Sequence, residues 1–296
     1  MVALSVVVAT TQPWPELQMC LDSLYAQAIV ENAELLIVDG HGEGLTDEAL
    51  RRYPRARRLQ MPGLSVLQMR SLAMSQAQGE VVAVTEDHCR VAHDWCRRII
   101  EAHKKYPEAA VIGGTVENGS DQGIIDWASF FIVNGPAMPP VRDGPRRKVA
   151  GQASVSYKKR FVPPDVPPLG RMEWTLSRDL HNRGELLVTD SRIRVAHVQP
   201  LTFPAACAIH YHDSRIIAGF RIQAIGRVEH MIRFVACFAM PPLLFLRTVL
   251  PVLAKRRKLG WLFLSMPMIG VLVFCRAAGA LVGFMRGPGD SPRRIR

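Results

Sequence analysis

Residues 79–88 read Gly-Glu-Val-Val-Ala-Val-Thr-Glu-Asp-His, and this stretch decides the predicted fold. Residues 81–85 are β-branched or small, which is typical of a strand buried on both faces. The apolar run stops at three side chains that can bind a metal ion or a proton, namely Glu86, Asp87 and His88. Ligands of open α/β sheets bind at the carboxyl ends of the strands. The position therefore favours a functional site, and the alternative is a solvated acidic turn.

Further strands and helices precede this stretch. Strands are predicted over residues 3–9, 34–38 and 57–60, with helical apolar spacing between them. This β-α-β-α series predicts an α/β fold with a mainly parallel sheet and helices on both faces. No G-x-G-x-x-G follows the first strand and no G-x-x-x-x-G-K-[ST] occurs, which argues against dinucleotide-binding and P-loop folds.

Asp39 ends the second predicted strand and is followed by Gly40. A carboxylate at this position can hold the base or ribose of a nucleotide, because the glycine lets the backbone approach closely. The alternative is an ordinary Asp-Gly turn.

The net positive charge of the chain lies in its last third. The segment from Ala205 onward has 14 Lys and Arg and only 3 Asp and Glu, while the rest of the chain has 23 residues of each sign. The same region holds the long apolar runs. Basic and apolar residues together favour an anionic membrane surface over nucleic acid as a partner.

The cysteines indicate a reducing compartment. The six thiols show no C-x-x-C and no paired framework, so a metal–thiolate site is not expected. The first residues lack the basic start and the long apolar core of a signal peptide. The part with candidate chemistry is therefore predicted to be cytoplasmic.

The order of these pieces resembles family-2 glycosyltransferases of the GT-A fold over a predicted domain at residues 1–204. The resemblance rests on residues 5–10, 34–40, 70–71, 79–84, 86–88 and 94–95. It implies an enzyme that moves a sugar from a nucleotide-diphospho-sugar donor. The family's usual motif after the fourth strand is Asp-x-Asp, and Glu86 and His88 stand at its two aspartate positions. The chain also has Ser71 where asparagine is usual.

The resemblance implies a divalent metal, Mn²⁺ or Mg²⁺, at this motif, with Glu86 and His88 as ligands. Such an ion stabilises the departing diphosphate, and imidazole shifts the preference toward Mn²⁺. The residues that the resemblance places on the nucleotide-sugar are Thr10, Asp39, Arg70, Glu86 and Asp87.

Two further positions follow from the same resemblance. Residues 170–176 open a predicted helix in which Glu173 stands where inverting relatives place the general base, while Met172 replaces the preceding acid. The alternative is a plain glutamate at a helix N-terminus. His197 ends a predicted strand where relatives place a further metal or diphosphate contact, and the alternative is a structural histidine.

The last third predicts a membrane-associated region. Residues 205–233 are interpreted as basic amphipathic interface helices. The apolar segments 234–254 and 259–285 are each long enough to cross a bilayer. Arg247 and Arg276 near their middles make simple lipid-exposed spans costly. A hairpin would also place the basic residues 255–258 outside, against the positive-inside rule. Residues 234–296 are therefore predicted to form membrane-associated or re-entrant helices with a basic tail.

Together these observations predict an inverting, metal-dependent glycosyltransferase at the inner or plasma membrane. The expected partners are a nucleotide-sugar donor, a lipid-linked or saccharide acceptor and membrane lipids, with no nucleic acid, and an oligomer is possible. A non-catalytic membrane scaffold with a GT-A shell is the alternative, motivated by the departures at Ser71, Glu86 and Met172. A nucleotidylyltransferase is disfavoured because no Gly-rich loop bearing Arg or Lys follows the first strand.

Overall fold

The computed structural model describes residues 2–11, 14–40, 51–120, 123–149, 153–222 and 225–294. It divides into two compact units. The first contains Met1–Gly119 and Ala137–Val198, and the second contains Ser120–Pro136 and Gln199–Arg296. The segment Ser120–Pro136, which lies inside the predicted domain 1–204, thus belongs to the second unit.

The described part of the first unit is an α/β structure. Its strands and helices are β1 (Leu4–Thr10), α1 (Trp14–Val30), β2 (Glu34–Asp39), β3 (Ala56–Gln60), α2 (Val66–Gln76), β4 (Val81–Glu86), β5 (Cys89–Val91), α3 (Trp95–Lys105), β6 (Ala109–Asn118), β7 (Gly144–Pro145), β8 (Val155–Lys158), α5 (Glu173–Asn182) and β9 (Leu186–His197). The second unit contains α4 (Ile124–Asn134), α6 (Phe203–Ile222), α7 (Arg227–Ala236), α8 (Met240–Lys255) and α9 (Leu259–Arg286).

One mixed sheet organises the first unit, in the order β3-β2-β1-β4-β8-β6-β9-β5, with β7 added to β9. The first four strands are parallel, as the β-α-β series predicts. The later half is not, since β8 runs antiparallel between β4 and β6. A strand that returns through a long connection is not bound by the crossover rule for βαβ units. The α/β class is confirmed, and the sheet is mixed rather than uniformly parallel.

The central strands are buried on both faces because helices cover the sheet. Every residue of β1 and β4 is buried. The close packing reaches the backbone at Gly79, where a Cβ atom would lie 2.5 Å from the Ser5 nitrogen. Glycine is therefore required just before β4, the strand that ends in Glu86.

The second unit is a helix bundle with apolar surfaces. The 29-residue stretch Arg227–Lys255 and the 28-residue helix α9 are long and apolar enough to cross a membrane. Arg276, in the middle of α9, is not left without a partner: its guanidinium contacts the Asp213 carboxylate at 2.8 Å. It also lies 3.1 Å from the His210 ring, which is itself hydrogen-bonded to Ser129. The free-energy cost of placing the Arg276 charge in an apolar helix is thus offset by partners within the bundle. Arg247, by contrast, is exposed on the surface of α8.

Candidate active site

The candidate site lies at the carboxyl ends of the central strands. The register of the parallel strands sets Thr10 beside Asp39 and Ala9 beside Glu86. Three strand ends therefore meet at one edge of the sheet. The Asp39 carboxylate is fully buried and accepts a hydrogen bond from Arg58 at 2.7 Å.

Three side chains converge just beyond β4, although one of them comes from the far end of the unit. Cys89 of β5 pairs with His197 of β9, and this pairing brings His197 beside His88. The two Nε2 atoms are 3.0 Å apart. Glu86 Oε2 lies 3.4 Å from His197 Nε2 and 3.7 Å from His88 Nε2.

This triad has the geometry of a metal site. A divalent ion bound at about 2.0–2.2 Å holds neighbouring ligand atoms about 3.0–3.5 Å apart. Two of the three separations, 3.0 and 3.4 Å, fall in that range, and the third, 3.7 Å between Glu86 and His88, lies slightly above it. Two imidazoles and one carboxylate suit first-row ions such as Mn²⁺. Glu86, His88 and His197 can therefore hold a metal ion.

Asp87 supports the triad and is not one of its members. Its carboxylate lies 2.9 Å from His88 Nδ1. A carboxylate on the outer ring nitrogen fixes the tautomer and directs the other nitrogen toward a metal. Asp87 thus orients the His88 ring in this structure, and the sequence prediction put it on the nucleotide-sugar.

Arg70 links the triad to Glu173. The Arg70 side chain is 5% exposed, and its guanidinium lies 3.4 Å from Glu86 and 3.7 Å from Glu173. A buried cation between two buried carboxylates favours the ionised form of both. The sequence prediction assigned Arg70 to the nucleotide, and its described partners are the two carboxylates.

Glu173 lies at the first position of α5 and is 2% exposed. Neither carboxylate oxygen has a hydrogen-bond partner among the described residues, because the Arg70 contact is too long for one. Burial raises the pKa of Glu173, while the charge of Arg70 opposes the rise. A buried carboxylate with free acceptor capacity and a raised pKa is suited to taking a proton.

The pKa values of all three triad residues are also shifted. Burial alone would raise the pKa of Glu86, but the hydrogen bond from His197 and the nearby charges of His88 and Arg70 hold it well below the usual range. Burial would lower the pKa of His88, but Asp87 and Glu86 raise it. Burial lowers the pKa of His197, which favours the neutral imidazole that binds metals.

The backbone before Glu173 is held by α2. The Ser71 hydroxyl donates to the Leu67 carbonyl at 2.7 Å and accepts from the Arg171 amide at 2.8 Å. Gly170 has φ of +75°, and a Cβ atom there would lie 2.3 Å from the Leu67 carbonyl carbon. Glycine is thus required for the loop to approach α2. A groove borders Ser71 and Glu173.

The structure brings together most of the residues predicted from the sequence. Glu86, His88 and His197 form one cluster, and Arg70 joins it to Glu173. Thr10 and Asp39 lie at neighbouring strand ends.

Sequence reasoning missed two supporting residues and the contact made by a third. Arg58 pairs with Asp39, and the Tyr157 hydroxyl donates to the Glu173 carbonyl at 2.9 Å. Ser71 was singled out as a departure from the family motif, but its hydrogen bond from the Arg171 amide was not predicted. The register of β2 with β3 could have indicated Arg58, but no local pattern marks Tyr157.

Comparisons with known proteins agree with this architecture. The family model described as glycosyl transferase family 2 matches residues 5–163, more than half of the chain. A mannosyltransferase from Pyrobaculum calidifontis, solved with GDP-mannose and Mn²⁺, has 14% sequence identity and a TM-score of 0.58. The match covers 94% of this chain and 86% of that chain, and at this identity it shows the fold alone. A search of curated proteins finds no match. The chain belongs to glycosyltransferase family 2 and has a GT-A-like fold with C-terminal apolar helices.

Proposed function

We propose that this glycosyltransferase is an inverting, metal-assisted enzyme in which Glu173 is the general base. The observation that carries the proposal is the Arg70 bridge between a metal-competent triad and a buried carboxylate without a hydrogen-bond partner among the described residues. The two halves of a sugar transfer, leaving-group stabilisation and acceptor deprotonation, would then share one buried charge network.

Glu86, His88 and His197 would hold the divalent ion, and Asp87 would keep the His88 ring in place. When bound, the ion supplies positive charge to the departing nucleoside diphosphate. The solved mannosyltransferase contains Mn²⁺, which supports the same metal class here. Thr10 and Asp39 would contact the nucleoside, because they lie at adjacent strand ends beside the triad.

In the proposed reaction, an acceptor hydroxyl oxygen attacks the anomeric carbon of the donor sugar. The bond from that carbon to the diphosphate oxygen breaks, and the configuration inverts. The hydroxyl proton passes to a Glu173 carboxylate oxygen. Because only 2% of Glu173 is exposed, the acceptor must displace a neighbouring side chain to reach it.

Arg70 would favour the ionised form of Glu173, since its charge opposes the effect of burial on the Glu173 pKa. Its second contact, to Glu86, ties the base to the metal-binding strand. Arg70 would act mainly by positioning Glu173 and Glu86. The sequence predicts instead that it contacts the nucleotide-sugar.

The acceptor is proposed to be lipid-linked or a saccharide presented at the inner or plasma membrane, with the first unit in the cytoplasm. The support is the pair of apolar helical stretches in the second unit. The domain limits of 1–204, 205–233 and 234–296 stay a prediction.

A Glu173→Gln variant tests the base. A panel of nucleotide-sugars, first screened by thermal shift, is assayed for release of nucleoside diphosphate with native membranes as the acceptor source. We expect transfer to be lost while donor binding is retained, and the exposed Glu80→Gln change to leave both intact. Equal loss of transfer and donor binding in Glu173→Gln would remove the base assignment.

The second candidate function is a non-catalytic membrane scaffold with a GT-A shell. The observation that favours it is the exclusion of Glu173 from solvent. Absence of metal-dependent nucleotide binding in the parent protein would favour the scaffold.

A further inference from the structure

The second unit exposes a long apolar surface along α7 and α8. We call it the apolar stripe. Its members, each more than half exposed, are Val228, Met231, Ile232, Val235, Phe238, Leu243, Leu246 and Leu250. Most are three or four residues apart, so they follow one side of consecutive helical turns. On α9, Phe263, Leu264, Phe274 and Met285 are also more than half exposed.

The bundle covers only one side of α7. His230 on α7 donates from Nε2 to the Phe284 carbonyl of α9 at 2.7 Å, and Phe234 packs against the cluster that contains Phe284. None of the described residues of α7 is buried, so its apolar stripe residues stay exposed. Contiguous exposed apolar surface of this kind marks an interaction site. We therefore expect a partner to cover the stripe.

The charges around the stripe indicate what that partner is. Arg227 and Arg247 are exposed on the same helices, and the basic residues 255–258 follow directly. From residue 225 onward the sequence has only Glu229 and Asp290 as acids. Glu229 is already paired with Arg233 at 2.6 Å. Apolar side chains flanked by unbalanced basic ones fit the anionic surface of a lipid bilayer.

The packing of α9 argues against a helix that crosses the bilayer. Its C-terminal half lies directly on α6, because a Cβ atom at Gly279 would be 2.0 Å from the Tyr211 carbonyl oxygen. At Gly283 the nearest atom, the Arg215 carbonyl oxygen, would be 2.5 Å away. Arg276 is tied to Asp213 on α6. The two helices must therefore sit at the same depth.

α6 is a poor membrane helix. It has His210, His212, Asp213 and Arg215 within six positions, and charged side chains are costly in hydrocarbon. A crossing α9 would draw these groups into the bilayer. The C-terminal half of α9 therefore stays with α6 at the bilayer surface, although α9 is long enough to span the hydrocarbon.

We propose that the second unit is an in-plane membrane anchor, in which the apolar stripe inserts into one leaflet of an anionic bilayer and neither α8 nor α9 crosses it. The inference deepens the membrane location proposed above and does not depend on the transferase chemistry. It also removes the conflict with the positive-inside rule, because residues 255–258 then stay on the side of the first unit.

Vesicle flotation of the full chain tests the lipid surface. We expect binding to phosphatidylglycerol-containing vesicles, weaker binding to pure phosphatidylcholine, and a loss at high salt. Val235→Asp on the stripe should weaken binding roughly tenfold or more, since a valine side chain that would insert into the leaflet is replaced by a charge. The matched control is Val30→Asp, at an exposed valine in the first unit, which should bind as the parent does.

Labelling with a membrane-impermeant maleimide tests the topology in sealed inside-out and right-side-out membranes. Arg256→Cys reports the loop between α8 and α9, and Val30→Cys reports the first unit, each compared with the parent thiols. In-plane insertion predicts that both label from the same side. Labelling from opposite sides would overturn the in-plane anchor while leaving membrane location intact.

Concentration-dependent self-association without vesicle binding would instead show that a second copy covers the stripe, and would overturn both membrane statements. Donor binding by the same preparation, measured in detergent, reports the transferase proposal separately.

Discussion

Replacing Arg70 by methionine should destabilise the first unit strongly. Arg70 is buried between Glu86 and Glu173, at 3.4 and 3.7 Å. Its removal leaves two buried carboxylates facing each other without the shared cation. Breaking a buried ion pair from one side costs about 3–5 kcal/mol. For a unit of this size, that corresponds to a fall in Tm of roughly 6–20 °C.

The assay is thermal melting followed by tryptophan fluorescence, with EDTA present so that no metal balances the charge of Glu86. The double variant Arg70→Met/Glu173→Gln should regain part of the loss, because one of the two carboxylates is then neutral. A fall of less than about 2 °C in the single variant, or no recovery in the double variant, would refute the buried charge network.

Three further predictions concern the surroundings of the site. His103 is buried with its Nε2 hydrogen-bonded to Ser156 at 2.9 Å, and burial lowers its pKa to about 3. The pKa of His103 is higher in the unfolded chain, so lowering the pH favours the unfolded state. The free energy of unfolding is therefore highest above pH 6.5 and falls on acidification, by about 2–3 kcal/mol at pH 4.5. Denaturant unfolding at both pH values should show a smaller loss in His103→Gln, and an equal loss would contradict the assignment. Ser71→Ala should lower the free energy of unfolding by about 1–2 kcal/mol, because the Arg171 amide loses its hydrogen-bond acceptor. Since Arg171 lies close to Glu173, the change should also lower kcat more than donor affinity. An unchanged kcat would contradict this role of Ser71. Gly114→Ala should lower the free energy of unfolding by about 1–3 kcal/mol or more, since its Cβ would lie 2.3 Å from the Ile193 carbonyl oxygen. The control Gly260→Ala, which has open space around it, should not lower it. Equal melting temperatures of the two variants would refute the close approach of β6 and β9.

Local sequence patterns were enough to predict the first half of the sheet. The buried run before Glu86 has the composition of a strand buried on both faces, and β1 pairs in parallel with β2 across the single helix α1. The β8 strand was different, because its antiparallel place between β4 and β6 depends on a long connection after β6. No periodicity in residues 155–158 encodes that direction.

The residues of the candidate site also fall into two groups, those marked by a local sequence motif and those brought together only by strand pairing. Glu86 and His88 are adjacent in sequence to the strand that positions them, so the motif marks them. His197 is 109 residues from His88, and only the pairing of β5 with β9 brings them together. The resemblance to the family suggested His197, whereas composition did not.

Side-chain direction was the least predictable feature. Arg70 was recognised within α2, but its rotation toward Glu86 and Glu173 rather than a ligand depends on tertiary packing. Likewise, Arg276 looked costly in an apolar helix because its partner, Asp213, lies on another helix 63 positions away. Charges inside apolar segments can be judged only once their partners are known.

The most direct test of the account is calorimetric titration of the parent protein with GDP and UDP, each with Mn²⁺ and with EDTA. We predict that Mn²⁺ strengthens binding of the preferred nucleotide at least tenfold, and that His197→Ala loses this gain while the exposed control His93→Ala keeps it. Equal affinity of the parent in Mn²⁺ and EDTA, or an undiminished Mn²⁺ gain in a folded His197→Ala protein, would contradict a metal–diphosphate site formed by Glu86, His88 and His197.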